Sequence, residues 1–202
     1  MTHFTPVAEN LGGSKTWKFN QAKPSQWTKR LGTGTLGGIC WAASVAYIVG
    51  ESTSDSLQAK VGSNGNINCS VYNKLVKLQA ANMDNQNKAQ AGIFVDNGLA
   101  ADDFNMTSGA KANGDGPMGV EIAQMACRWD NCWVMVSVNW KDKKTGHAMA
   151  FAMARNDYRL FDSNSGEYTF PTKSGFKQFV AAYFNKNSML SSIQKYALLK
   201  VS

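Results

Sequence analysis

The feature that most constrains the fold of this chain is a short apolar segment, CWAASVAYIV, at residues 40–49. It is apolar on nearly every helical face, contains neither glycine nor proline, and stops at Gly50, as is typical of a short helix. A helix without a polar face must be covered on all sides by other elements. The segment is too short to span a membrane, which takes about 20 apolar residues. We therefore expect a central buried helix with the rest of the chain packed around it.

Length and composition indicate a single core, since the chain has 202 residues and 44% hydrophobic content. Residues 1–35 are polar and lack sustained periodicity, so we interpret them as an N-terminal arm that packs loosely on a domain spanning 36–202. The net charge is +7, but the cations are dispersed, which favours a solvated basic face over a nucleic-acid site. The sequence has no candidate membrane span and no Sec-type signal peptide, so we expect a soluble protein.

The order of the remaining elements predicts an α+β fold, with helices first and an antiparallel sheet second. Besides the central helix, apolar residues at helical spacing predict helices at 71–81, 119–129 and 174–185. Strand-like runs separated by short polar turns are found at 132–140, 146–154, 158–163 and 193–201. The first three strands are expected to form a meander. The segment 82–118 has a mixed pattern and ends in a predicted loop.

Cys40 opens the central helix, where unpaired N–H groups and the helix dipole stabilise a thiolate. The preceding Gly37 and Gly38 would let backbone N–H groups approach a substrate carbonyl, as an oxyanion pocket requires. The alternative is that Cys40 is one more small residue in a core helix, because free cysteine is among the most buried residue types. This segment alone does not decide between the two interpretations.

Histidine and aspartate side chains that fit such a thiol lie on two of the predicted strands. His147 opens one strand, and histidine is the usual general base near neutral pH. Asp162 ends the next strand, 15 residues later, which is the separation that brings the two side chains together in an antiparallel pair. Asn164 is a second candidate acceptor for the imidazole. The alternative for residues 162–166 is an Asx-type turn without a catalytic role.

The cysteines do not match a usual zinc motif, and the chain has only two histidines. No metal site or cofactor is therefore expected. For Cys127 and Cys132 the spacing leaves two alternatives, a disulfide or two small core residues that flank a turn, of which the second is favoured.

Three sequence blocks together resemble a known family. They are G-x-C-W-x-x-S at 38–44, G-H-A-M-A at 146–150 and F-D-S-N-S-G-E-Y at 161–168. In this order they resemble the papain-like cysteine proteases of the YopT/AvrPphB type, which are bacterial effectors delivered into other cells. The resemblance implies a papain-like fold, with Cys40 as the nucleophile, His147 as general base and then acid, and Asp162 as the orienting group.

One departure from the family pattern concerns the oxyanion site. Relatives usually carry an amide side chain a few residues before the cysteine, and residues 32–38 contain none. The hydroxyl of Thr35 or the more distant amide of Gln26 are the candidate substitutes, beside the backbone around Gly38.

The resemblance further implies a protein substrate in the cytoplasm of a target cell, reached through a contact-dependent secretion system that does not use Sec. A toxin used between bacteria would also require an immunity protein in its producer. Two other functions stay open from the sequence. One is a peptidoglycan amidase or acyltransferase with the same thiol chemistry, and the other is a non-catalytic binding module.

Overall fold

The computed structural model of the chain describes residues 4–19, 39–52, 56–61, 69–82, 86–101, 107–110, 118–140, 146–187 and 190–202. The helices in these segments are α1 (Thr5–Asn10), α2 (Cys40–Ser52), α3 (Leu57–Val61), α4 (Cys69–Ala81), α5 (Gln86–Asp96), α6 (Met118–Ala126) and α7 (Lys173–Lys186). The strands are β1 (Ser14–Trp17), β2 (Thr107–Ala110), β3 (Trp133–Asn139), β4 (Gly146–Ala154), β5 (Asp157–Asp162), β6 (Gly166–Phe170) and β7 (Lys195–Val201). A short 3₁₀ helix, Leu190–Ser192, precedes β7.

The strands form one sheet in the order β1-β6-β5-β4-β3-β7-β2, and the neighbouring strands are antiparallel. The predicted meander is present as β3, β4 and β5, and the predicted closing strand is β7. A tight turn joins β4 to β5 and places Asn156 at φ 64°, a left-handed conformation that asparagine tolerates. The sequence did not predict β6, because the residues that lead into it read as a turn. It also did not predict β1 or β2.

The sheet lies between two layers of helices. Successive strand residues point to opposite faces, so each face packs against one of the layers. On one face, side chains of α2, α4 and α5 share a core with Ala148, Ala150 and Phe161. On the other face, side chains of α1, α6 and α7 pack with Met149, Phe151 and Leu160. Helix α2 therefore has the sheet on one side and other helices on the other, as its apolar sequence predicts.

Stacked aromatic rings and one buried carboxylate attach α2 to the sheet. The ring of Tyr47 stacks on Phe161 with centroids 4.5 Å apart, and Phe161 in turn stacks on Trp17 at 5.6 Å. The hydroxyl of Tyr47 donates a hydrogen bond to Glu167, which also accepts one from the Thr16 hydroxyl at 2.5 Å. These donors satisfy a carboxylate whose side chain is only 7% exposed, and they fix α2 against β1 and β6.

Residues 4–19 are integrated into the domain, which differs from the loosely packed arm expected for this part of the chain. Phe4 is buried against Tyr183 with ring centroids 4.5 Å apart, and β1 pairs with β6 at the edge of the sheet. Strand β1 was not predicted from the sequence because most of its residues are polar, and only Trp17 is buried. The boundary at residue 35 lies outside the described residues and stays a prediction.

Cys127 and Cys132 are free thiols on either side of the turn that follows α6. Burial raises the pKa of both, to about 11 for Cys132, so each remains protonated near neutral pH. The two residues flank the turn as expected, but only Cys132 is a buried core residue, and Cys127 is half-buried.

Candidate active site

Cys40 is the first residue of α2 and lies in its first turn. The carbonyl of Ile39 accepts the N–H of Ala43 at 2.8 Å, which begins the helical hydrogen bonding. The Cys40 side chain is 7% exposed. Burial alone raises the pKa of its thiol, but His147 and the backbone N–H of Ala148 together outweigh burial and lower the pKa below its ordinary value. The thiol at this position therefore ionises more readily than a free cysteine.

The imidazole of His147 lies between the Cys40 thiol and the Asp162 carboxylate. Its Nε2 is 2.8 Å from Asp162 Oδ1, and a second side-chain hydrogen bond joins the ring to Cys40. With Nε2 bound to the carboxylate, Nδ1 is the ring nitrogen left for the thiol. Burial alone lowers the pKa of His147, but Asp162 and Cys40 raise it to about 10. The lowered pKa of Cys40 and the raised pKa of His147 both favour the pair of thiolate and imidazolium.

The pairing of β4 with β5 brings His147 and Asp162 together. Asp162 pairs with Met149, two residues beyond His147, so the imidazole and the carboxylate lie on the same face of neighbouring strands. Diagonal neighbours of this kind are within reach of long side chains. The separation of 15 residues in the sequence predicts this proximity, and the structure has it.

The carboxylate of Asp162 is almost fully buried, at 1% exposed, and accepts three hydrogen bonds. Besides that of His147, Oδ1 accepts the backbone N–H of Asn164 at 2.7 Å, and Oδ2 accepts the hydroxyl of Tyr183 at 2.6 Å. Burial raises the pKa of Asp162, but these donors together lower it below its ordinary value. The bond to Asn164 is that of an Asx-type turn, so Asp162 both forms this turn and contacts His147.

Tyr183 is a residue of the site that the sequence indicated only as part of the predicted helix at 174–185. It lies on α7, and its hydroxyl hydrogen-bonds Ser165 as well as Asp162. Burial and the charge of Asp162 raise the pKa of Tyr183 far above its ordinary value, so the phenol stays a donor. The aromatic spacing of α7 indicates burial but contains no signal for this hydrogen bond.

Gly166 closes the turn that carries Asp162. It adopts φ +100°, and a Cβ atom there would lie 2.1 Å from the carbonyl oxygen of Trp17. Both the backbone angle and the close approach of β1 therefore require glycine.

Asn164 lies on the side of the imidazole that faces Asp162, with its Nδ2 3.5 Å from His147 Nε2. Gly38, Thr35 and Gln26 lie outside the described residues. Their assignment to an oxyanion site accordingly stays a prediction.

Two further observations bear on the kind of site. Within the described segments, no group of three or more His, Cys, Asp and Glu residues is placed to hold a metal ion. None of the described helices is long and apolar enough to cross a membrane.

A thiol at a helix start, joined through an imidazole to a buried carboxylate, can form a covalent acyl intermediate without a cofactor. On an α+β fold of this kind, the three groups form the arrangement that cysteine peptidases use, and other thiol enzymes that transfer acyl groups use it as well. The sequence matches the Peptidase_C58 family, described as "Yersinia/Haemophilus virulence surface antigen", over residues 6–197. The chain belongs to this family and is a cysteine peptidase, as the sequence blocks predict.

Two solved structures are similar to this chain. The crystal structure of the Pseudomonas avirulence protein AvrPphB matches with a TM-score of 0.56 at 19% identity, over 81% of this chain and 91% of that one. PatoxP, a cysteine protease-like domain of the Photorhabdus asymbiotica toxin PaTox, has a TM-score of 0.49 at 14% identity, over 96% of this chain and 57% of that one. No curated protein matches the sequence. The predicted papain-like α+β fold class is confirmed by the AvrPphB match.

Proposed function

We propose that this chain is a bacterial effector or toxin that cleaves a protein substrate in a target cell, with Cys40, His147 and Asp162 as its catalytic triad. The observation that carries the proposal is the hydrogen-bonded series from thiol to imidazole to carboxylate, with Nε2 of His147 2.8 Å from Asp162. Two comparisons support the biological setting. The family description names a virulence antigen, and one structural match is to an avirulence protein.

In the first half-reaction, the ionised sulfur of Cys40 attacks the carbonyl carbon of the substrate peptide bond and forms a carbon–sulfur bond. The imidazolium of His147 donates its proton to the leaving nitrogen as the carbon–nitrogen bond breaks. Asp162 holds Nε2, which keeps Nδ1 directed at the reacting atoms. The products are a thioester on Cys40 and a free amine.

In the second half-reaction, water attacks the thioester carbon. Neutral His147 accepts a proton from that water, the carbon–sulfur bond breaks, and the acid product leaves. The resulting imidazolium and thiolate restore the starting pair. The backbone N–H of Cys40, at the start of α2, is suited to stabilise the oxyanion in both steps, since those of Ala42 and Ala43 already bind Gln79 and Ile39.

We expect the pH profile of kcat/KM to be bell-shaped, because acylation needs a thiolate and an imidazolium at once. The acidic limb follows ionisation of Cys40 and lies below the ordinary thiol range, since its pKa is lowered. The alkaline limb follows loss of the His147 proton, whose pKa is raised to about 10. Steady-state cleavage of a peptide substrate measured across this range checks both limbs. A profile that only rises, with its midpoint at the ordinary pKa of a thiol, would contradict the proposed ion pair.

Mass spectrometry of new protein termini tests the function as a whole. A target-cell lysate is treated with the wild-type protein and, in parallel, with the Cys40→Ala variant. We expect new amino termini in one or a few proteins only in the wild-type sample, which gives the substrate and its cleavage site together.

A parallel incubation with purified peptidoglycan separates this function from that of a wall-directed amidase. Release of muropeptides by the wild-type protein, with no new protein termini in the lysate, would overturn the proposal. The secretion route and an immunity protein remain predictions. A search for proteins that co-purify with this chain in the producing cell would test the immunity protein.

A further inference from the structure

The first turn of α2 lacks a capping side chain of its own. Helices usually begin after Ser, Thr, Asp or Asn, whose side chain accepts the N–H of the second or third helical residue. Here Ile39 occupies that position, and the side chain of isoleucine has no acceptor atom. Ala42 is the third helical residue, and its N–H donates instead to Oε1 of Gln79 at 3.0 Å. The cap is thus supplied by α4, from a residue 37 positions further along the chain.

A second glutamine binds the neighbouring residue of the same turn. The indole N–H of Trp41, which directly follows Cys40, donates to Oε1 of Gln90 on α5 at 3.1 Å. Gln79 and Gln90 are 6% and 2% exposed, although glutamine is mostly a surface residue. Two buried amides from two different helices therefore both bind the first turn of α2.

We propose that Gln79 and Gln90 are positioning residues that hold the first turn of α2, and with it Cys40, in place opposite His147. The proposal rests on the catalytic role of Cys40 set out above. It gives helices α4 and α5, on the outer side of α2, a part in the reaction beyond their packing. Neither amide is required to touch the substrate.

The neutral amide of Gln79 suits this position because of the charges around the thiol. The charged groups that act most strongly on Cys40 are His147, which favours the thiolate, and Asp162, which opposes it. An acidic cap in the first turn would add a second negative charge beside the thiolate. An amide oxygen satisfies the N–H of Ala42 without adding that charge.

Gln79→Glu provides the sharpest test, since it keeps the acceptor oxygen and adds a charge. The readout is the rate of alkylation of Cys40 by iodoacetamide as a function of pH, followed on the peptide that contains Cys40. We expect the midpoint to rise by about 0.5 pH unit or more. Gln178→Glu, on the exposed face of α7 beside Ser174, makes the same charge change at a distance and is expected to leave the midpoint where it is.

Removal of each amide measures its positioning role. Gln79→Met and Gln90→Met are each expected to lower kcat by about 3- to 30-fold with KM unchanged, which corresponds to the loss of one buried hydrogen bond to the first turn of α2. Thermal unfolding of each variant identifies any loss of folded protein. Should the methionine variants fail to fold, the charge variant still decides the question.

An alkylation profile for Gln79→Glu that coincides with those of the wild type and Gln178→Glu would overturn the inference. This measurement uses no substrate, so it is independent of the proposed function. If Cys40→Ala retained cleavage, the proposed function would fail whatever the Gln79 profile showed. If Cys40→Ala were inactive but the alkylation profile of Gln79→Glu were unshifted, the proposed function would stand and only the positioning role would be rejected.

Discussion

Replacement of Cys40 by alanine is expected to lower the cleavage rate by at least about 10⁴-fold, because the variant has no nucleophile for the acyl-enzyme. Alanine fits the site, and the remaining core contacts of α2 are unchanged, so the free energy of unfolding should change by no more than about 1–2 kcal/mol. The measurement is kcat/KM on a peptide that spans the cleavage site, with thermal unfolding recorded on the same sample.

Cys132→Ala is the matched control for this prediction. Cys132 is equally buried, but its pKa is raised to about 11, so it does not ionise near neutral pH. We expect unchanged kcat/KM and a comparable small loss of stability. If the two variants lost activity to the same extent, or if Cys40→Ala retained it, the assignment of the nucleophile would be wrong.

The position of His147 relative to Asp162 could be predicted from sequence because it depends on local geometry. A short turn joins two strands whose residues alternate between the two faces, so the number of residues between two side chains fixes how close they come. The start of α2 at Cys40 could also be predicted from a local pattern, since the apolar helical segment begins there. It does not bring Cys40 to the sheet, and only the order of the three blocks indicated that the thiol and the imidazole meet.

Strands β1 and β6 could not be predicted, for two different reasons. The segment before β6 forms the turn that holds Asp162, and Gly166 is both the end of that turn and the first residue of the strand. In β1, exposed polar residues outnumber buried ones, as is common for an edge strand. Such strands are specified by their partner in the sheet more than by their own pattern.

The sequence contains a weak indication that Gln79 and Gln90 are buried. Gln79 follows the buried Leu75 by four residues, and Gln90 precedes the buried Phe94 by four, so each is a polar residue on the apolar face of its helix. Such a residue must find a hydrogen-bond partner inside the protein. The periodicity shows that a partner is required, but the partners lie 37 and 49 positions away, which no local pattern specifies.

The second large effect is expected for His147→Gln. Without the imidazolium, burial and the charge of Asp162 are left to raise the pKa of Cys40 above that of a free thiol. Near neutral pH the sulfur would then be protonated, and no acid would be available for the leaving nitrogen. We expect kcat/KM to fall by about 10²- to 10⁴-fold. The rate of Cys40 alkylation should fall as well, and its pH midpoint should move upward past the ordinary thiol pKa.

Glutamine is chosen because its amide N–H can still donate to Asp162. His147→Ala is the companion variant, and it removes the donor to that carboxylate as well as the cationic partner, at a loss of about 3–5 kcal/mol in the free energy of unfolding. If activity depends on the ion pair, both variants lose alkylation at neutral pH, while only the alanine variant loses much stability. Alkylation of His147→Gln at the wild-type rate and midpoint would mean that the helix start alone, and not the histidine, ionises Cys40.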